Sequence, residues 1–201
     1  MRFAKSSVSD ETQVQTKATK NKNGWTTIRK QIAALENPSL LVLIKELYDV
    51  SETARDLLNT KFGPCESRDA ILEKCRKKVV DQFFPARGFG KLKLGEARKA
   101  IRDYRKITQD IPGVADLLMT YVENGAKFTM TYGDIDERFY DSVESALRDL
   151  AALLYDELPD FYPLFRDRLS EVEEITDGVG WGFHDCISEV VFDLESRLGR
   201  E

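Results

Sequence analysis

His184 is the only histidine in the 201-residue chain, and it stands in the stretch Gly178-Val-Gly-Trp-Gly-Phe-His-Asp185 with three of the twelve glycines and one of the two tryptophans. An imidazole followed by a carboxylate has the right groups for a general base or a metal site. Adjacent side chains on a helix diverge by about 100°, however, so His184 and Asp185 do not form a hydrogen-bonded dyad. A metal would require His184 to recruit carboxylates from elsewhere, for instance Glu171, Glu174 or Asp134, because there is no second histidine. The glycine-rich turn precedes a helix, where an anion can be cradled, but it lacks a preceding strand, a Lys-Ser/Thr ending and the GxGxxG spacing of nucleotide loops. The competing structural reading makes Gly178, Gly180 and Gly182 a sharp turn, wedges Trp181 and Phe183 into the core, and gives Asp185 or His184 a capping role. No catalytic residue, metal ligand or cofactor is assigned on these grounds.

A second cluster lies in "YGDIDERFYDSVES", where Asp134, Asp136, Glu137 and Asp141 follow Gly133. Crowded carboxylates suit a hard cation with oxygen ligands, yet the stretch lacks the twelve-residue pattern of an EF-hand. Capping explains it more simply. Gly133 suits the left-handed position that ends one helix, Asp134 is a good N-cap for the next, and Glu137 completes a capping-box-like pair.

The third group is basic. Residues 1–110 hold 23 Lys or Arg against 14 Asp or Glu, whereas residues 111–201 hold 7 against 21, so balances of +9 and −14 make up the net −5. Within 68–106 there are thirteen basic residues and five acidic ones. Arg98, Arg102 and Arg105, at i, i+4 and i+7, share one helix face, with Lys99 and Lys106 beside them and Lys91 and Lys93 just before. Such a row can hold phosphates by displacing counterions. Alternatively it is a solvated face, or it packs against the acidic half of this chain or of a second copy. Tyr104 follows the Leu94, Ala97 and Ile101 spacing and is expected in the core.

The elements that must position these residues are helices. Residues 1–24 form a polar stretch, expected to be a disordered tail without the apolar segment of a secretory signal. Beyond it, apolar periodicity and Gly/Pro punctuation predict nine helices at about 26–36, 38–49, 51–63, 67–83, 94–108, 112–131, 134–157, 161–176 and 182–198, with an irregular link after residue 83. The fold class is all-α, an irregular multi-helix bundle or a short solenoid-like stack without a sheet. Residues 25–201 read as one domain, basic over 25–110 and acidic over 111–201. Placing 28–63 over 97–133 aligns Ile32 with Ile101 and Gly63 with Gly133, a faint similarity that would favour the stack if it marked a true repeat. No run approaches the roughly 18 apolar residues of a membrane span, so no membrane partner is expected. Cys65, Cys75 and Cys186 match no zinc spacing and suit a reducing compartment, which points to the cytoplasm.

Taken together, "KLKLGEARKAIRDYRKI", "YGDIDERFYDSVES" and "GVGWGFHD", in that order, resemble a family of small bacterial all-helical proteins known as a domain of unknown function. The resemblance spans about residues 90–185. It implies a helical domain in a bacterial cytosol, and it places Lys91, Lys93, Gly133, Asp134, Trp181, Gly182, His184 and Asp185 in shared motifs without giving them a role. The function expected from the sequence is binding: a protein–protein adaptor or small subunit, with a protein partner or self-association, because opposed charges steer docking. A nucleic-acid binder using the 68–106 block is the alternative, and a metal-dependent enzyme using His184, Asp185 and Asp134 is a further one.

Overall fold

The computed structural model describes residues 22–64 and 66–199, so the tail predicted over residues 1–24 lies outside the described residues as far as residue 21, as does Cys65. Every regular element among the described residues is helical. The nine α-helices are α1 Lys22–Ile32, α2 Asn37–Val50, α3 Glu52–Phe62, α4 Glu66–Phe83, α5 Leu94–Thr108, α6 Ile111–Tyr132, α7 Glu137–Asp156, α8 Tyr162–Ile175 and α9 Phe183–Leu198, with a 3-10 turn at Pro159–Phe161. The first helix runs Lys22–Ile32, four residues ahead of the expected 26–36 at both ends.

Two compact units meet between Glu46 and Leu47, inside α2. The first contains α1 and most of α2. Pro38 occupies the first turn of α2, where its missing N–H costs nothing. No residue of α2 is buried.

In the second unit α6 is the centre, packed on α4, α5, α7 and α8, while α9 packs on α7 and α8, and α3 on α4 and α5. Its sequence explains the position. Apolar residues encircle the helix, and Leu117, Met119, Tyr121, Val122 and Ala126 are fully buried on different faces, the pattern of a helix enclosed by others. Asp110 caps it by accepting from the Gly113 N–H, and buried Tyr104 donates to the same carboxylate at 2.6 Å. Gly125 lets α7 approach closely, with Val143 against it. Around this axis Phe83 makes edge contacts with Tyr121, Phe128 and Phe139. Ile71, Cys75 and Val79 on α4 and Ile187, Val191 and Leu194 on α9 recur at helical intervals and are buried.

Ion pairs tie the outer helices to the centre. Arg168 on α8 reaches Asp116 and Glu123 on α6, both at 2.7 Å, and Arg76 on α4 also binds Asp116. Burial opposes ionisation of Asp116, but the two guanidiniums outweigh it and hold this carboxyl below its usual range. The two segments aligned by the faint internal similarity differ in where their helices break. α6 is unbroken, whereas its counterpart some 70 residues earlier is split at Ser51, which caps α3 through the Ala54 N–H.

Candidate functional site

The basic face of α5 turns toward the acidic face of α7 and leaves a groove between them. Arg98 binds Asp149, and Arg105 binds Glu157 at 2.8 Å. The paired positions advance by seven residues on α5 and by eight from Asp149 on α7 to its C-cap Glu157, so the helices run the same way and the two bridges stand about 10–12 Å apart at 1.5 Å per residue. Between the bridges is a cleft of about 310 Å³, with Ile101, Val114, Leu118 and Leu153 among its lining. Val114 and Leu118 belong to α6, which forms the floor. Arg102 and Asp156 also line the cleft; among the described residues neither is in a salt bridge, although the charge of Arg102 contributes to lowering the neighbouring Asp103 carboxyl.

All three arginines expected on one face are therefore brought together, but two of them are matched within the chain. The lysines are elsewhere. Lys93, just before α5, pairs with Glu96, and Lys99 pairs with Asp103 one turn on. Lys91 and Lys106 are exposed and do not line the cleft. Tyr104 is buried, as its spacing predicts.

The two motif stretches meet in the core rather than at an open site. Gly133 ends α6 with a φ of 84° and ψ of −166°, a conformation almost confined to glycine. The N-cap of α7 is Asp136, whose side chain accepts from the Phe139 N–H at 2.8 Å, and not Asp134. Starting the helix two residues later leaves Asp134 free to accept from the Tyr140 hydroxyl at 3.2 Å, and it places Glu137 in the first turn, outside any capping box. Tyr140 then packs, with its ring tilted, against Phe183, the first residue of α9, at 5.0 Å between ring centres.

Phe183 is fully buried, but Trp181 is not: its indole is 68% exposed. Trp181 has a φ of 63° between Gly178 at 81° and Gly182 at 71°. The left-handed backbone that lets the chain reverse before α9 swings Trp181 outward while Phe183 turns in. His184 is pinned between two hydroxyls, with Nδ1 3.3 Å from Thr176 Oγ1 and Nε2 3.3 Å from Ser188 Oγ. The Thr176 hydroxyl is also within reach of the Val172 and Glu173 carbonyls, and the imidazole tautomer decides which atom of the His184–Thr176 pair donates. Both ring nitrogens are thus engaged. Glu171 and Glu174 share an open depression with His184, Asp167 and Asp177, whereas Asp134 is not part of it. Asp185 is exposed in the first turn of α9. Among the described residues no three His, Cys, Asp or Glu side chains are grouped so as to hold a metal ion.

A further surface escaped the reading for chemistry because its residues are all apolar. Trp25, Ile28, Ile32 and Leu35 follow spacings of three, four and three, and so do Leu40, Leu43, Leu47 and Val50, the interval of helices that pack side by side. Trp25, Ile28, Leu35, Leu41, Val42, Ile44, Leu47 and Val50 are all exposed. The heptad-like interval was the sequence signal that could have identified this surface.

No described helix is long and apolar enough to cross a membrane. No family model, curated protein or solved structure matches the chain.

Proposed function

We propose that the chain is a protein–protein interaction module that works by self-association through α1 and α2. The observation that carries this reading is the run of eight large apolar side chains exposed on and beside these two helices. Helices of 11 and 14 residues are marginal in water by themselves and draw their stability from packing an apolar face. Exposed apolar side chains on these helices are surface that a partner can cover. A second copy also suits the charges. α1 carries Arg29 and Lys30 with no acidic residue, while α2 carries Glu46 and Asp49 against Lys45. Pairing α1 of one copy with α2 of the other brings unlike charges together, and a two-fold axis repeats the contact.

Sedimentation velocity of the full chain over a range of concentrations tests this. A dimer with a micromolar or tighter dissociation constant is expected. Leu41→Glu combined with Leu47→Glu should give a monomer of unchanged helicity, because both side chains are exposed. A wild-type chain that stays monomeric, or a variant that still dimerises, refutes self-association through this surface.

A further inference from the structure

The geometry points to the α5/α7 cleft as a binding site for a free, apolar α-amino acid. The cleft holds three arginines and three carboxylates. Arg98 with Asp149 and Arg105 with Glu157 close its two ends, and Arg102, whose charge also helps hold the Asp103 carboxyl low, and Asp156 line it without a salt bridge among the described residues. The charge sum is zero, and what is missing is a bridge between one cation and one anion. A zwitterion supplies that bridge. Its carboxylate accepts from the Arg102 guanidinium, which presents a planar fork of donors, and its ammonium donates to Asp156.

The remaining surface determines the third part of the ligand. On α7 the residues between the acidic ends of the groove are Ala152 and Leu153, and the facing wall and floor are Ile101, Val114 and Leu118. These apolar groups offer no hydrogen bond, so the ligand's side chain is aliphatic or aromatic. A volume of about 310 Å³ lies at the small end of ligand pockets, about 300–1,000 Å³, which suits an amino acid and not a nucleotide. The three carboxylates lining the cleft also disfavour a polyanion. The site is built within the second unit and does not depend on self-association.

The test is a titration of the full-length ¹⁵N-labelled chain with L-leucine, followed by amide chemical shifts. Saturable shifts are expected at residues 98–105 and 149–157. Arg102→Gln and Asp156→Asn should each weaken binding about tenfold, the loss of one charge-assisted hydrogen bond. Both side chains are exposed, so the rest of the spectrum should be unchanged. 4-Methylpentanoate lacks the ammonium and 3-methylbutylamine lacks the carboxylate, and each should bind about tenfold more weakly than leucine. The assignment is overturned if leucine produces no saturable shift, if either variant binds like the wild type, or if either single-charge analogue matches leucine.

Discussion

Replacing Gly125 with alanine sets two effects of opposite sign against each other at the centre of the second unit. In an exposed helix this change stabilises by about 1 kcal/mol, because glycine is the poorer helix former. Gly125 is instead buried on α6, where an added Cβ would lie 2.6 Å from Val143 Cγ2 and 2.9 Å from Cγ1. Carbon atoms pack comfortably at about 3.5–4.0 Å. Val143 cannot swing aside, since a β-branched side chain in a helix has essentially one χ1 rotamer, and it is buried on α7. Overpacking costs about 1–3 kcal/mol, and distances this short place the cost near the upper end. The net expectation is a loss of about 2 kcal/mol, or about 4–8 °C in Tm for a unit of this size. Thermal and urea unfolding followed by circular dichroism would measure it. A double-mutant cycle identifies the cause: with Val143→Ala present, the clash is gone and Gly125→Ala should stabilise by about 1 kcal/mol, a coupling of about 3 kcal/mol. If Gly125→Ala alone raises Tm, the close approach of α6 and α7 is not as described, and the groove floor set by α6 must be reconsidered with it.

Two other expectations concern the edges of the second unit. Hydrogen bonds from Lys74 and then Lys78 pull the Glu52 carboxyl from 4.5 down to about 2, which anchors the start of α3 to α4. A depressed folded-state value means that this contribution is complete above the unfolded value of 4.5 and is lost as pH falls toward about 2. Amide exchange in α3 should therefore accelerate, relative to α6, between those pH values, and Glu52→Gln should abolish the difference. Trp181→Gly relieves a left-handed backbone, worth about 1–2 kcal/mol, against about 0.5–1 kcal/mol for glycine's greater unfolded-state freedom. Its Tm should be unchanged or slightly higher; a fall equivalent to the roughly 3–5 kcal/mol of a truncated core aromatic would show that the indole is packed.

The helices were legible because their apolar residues recur at helical intervals and because Pro38, Ser51, Gly63 and Gly133 interrupt them. α6, whose apolar residues cover its whole circumference, is identifiable as the central helix by the same reasoning. What periodicity does not carry is the sign of a backbone dihedral. Asp134 and Asp136 are equally good capping residues, and only the conformation of Gly133 and its neighbours decides that Asp136 takes the role. The same limit applies to Trp181. Its size suggested burial, but a positive φ reverses the side of the chain on which a side chain emerges. Arg98, Arg102 and Arg105 all line one cleft, whereas the partners of Arg98 and Arg105 lie some fifty residues away, beyond the reach of any local pattern.

The separation of charge along the sequence acquires a different meaning once those partners are known. Arg98 and Arg105 lie in the basic half and their carboxylates in the acidic half, so the opposed totals are partly cancelled within the molecule. Part of the acidic excess remains in Asp167, Glu171, Glu173, Glu174 and Asp177 around the depression beside His184. Like charges on that face repel the same face of another copy. The self-association proposed above, through α1 and α2, does not call on this acidic face. A contact confined to α1 and α2 and repeated by a two-fold axis consumes its own surface and closes as a dimer, whereas a contact that also engaged the acidic face could propagate. Raising the ionic strength would separate these cases: it screens the acidic repulsion and strengthens apolar contacts, so the dimer should persist at high salt with no species larger than a dimer.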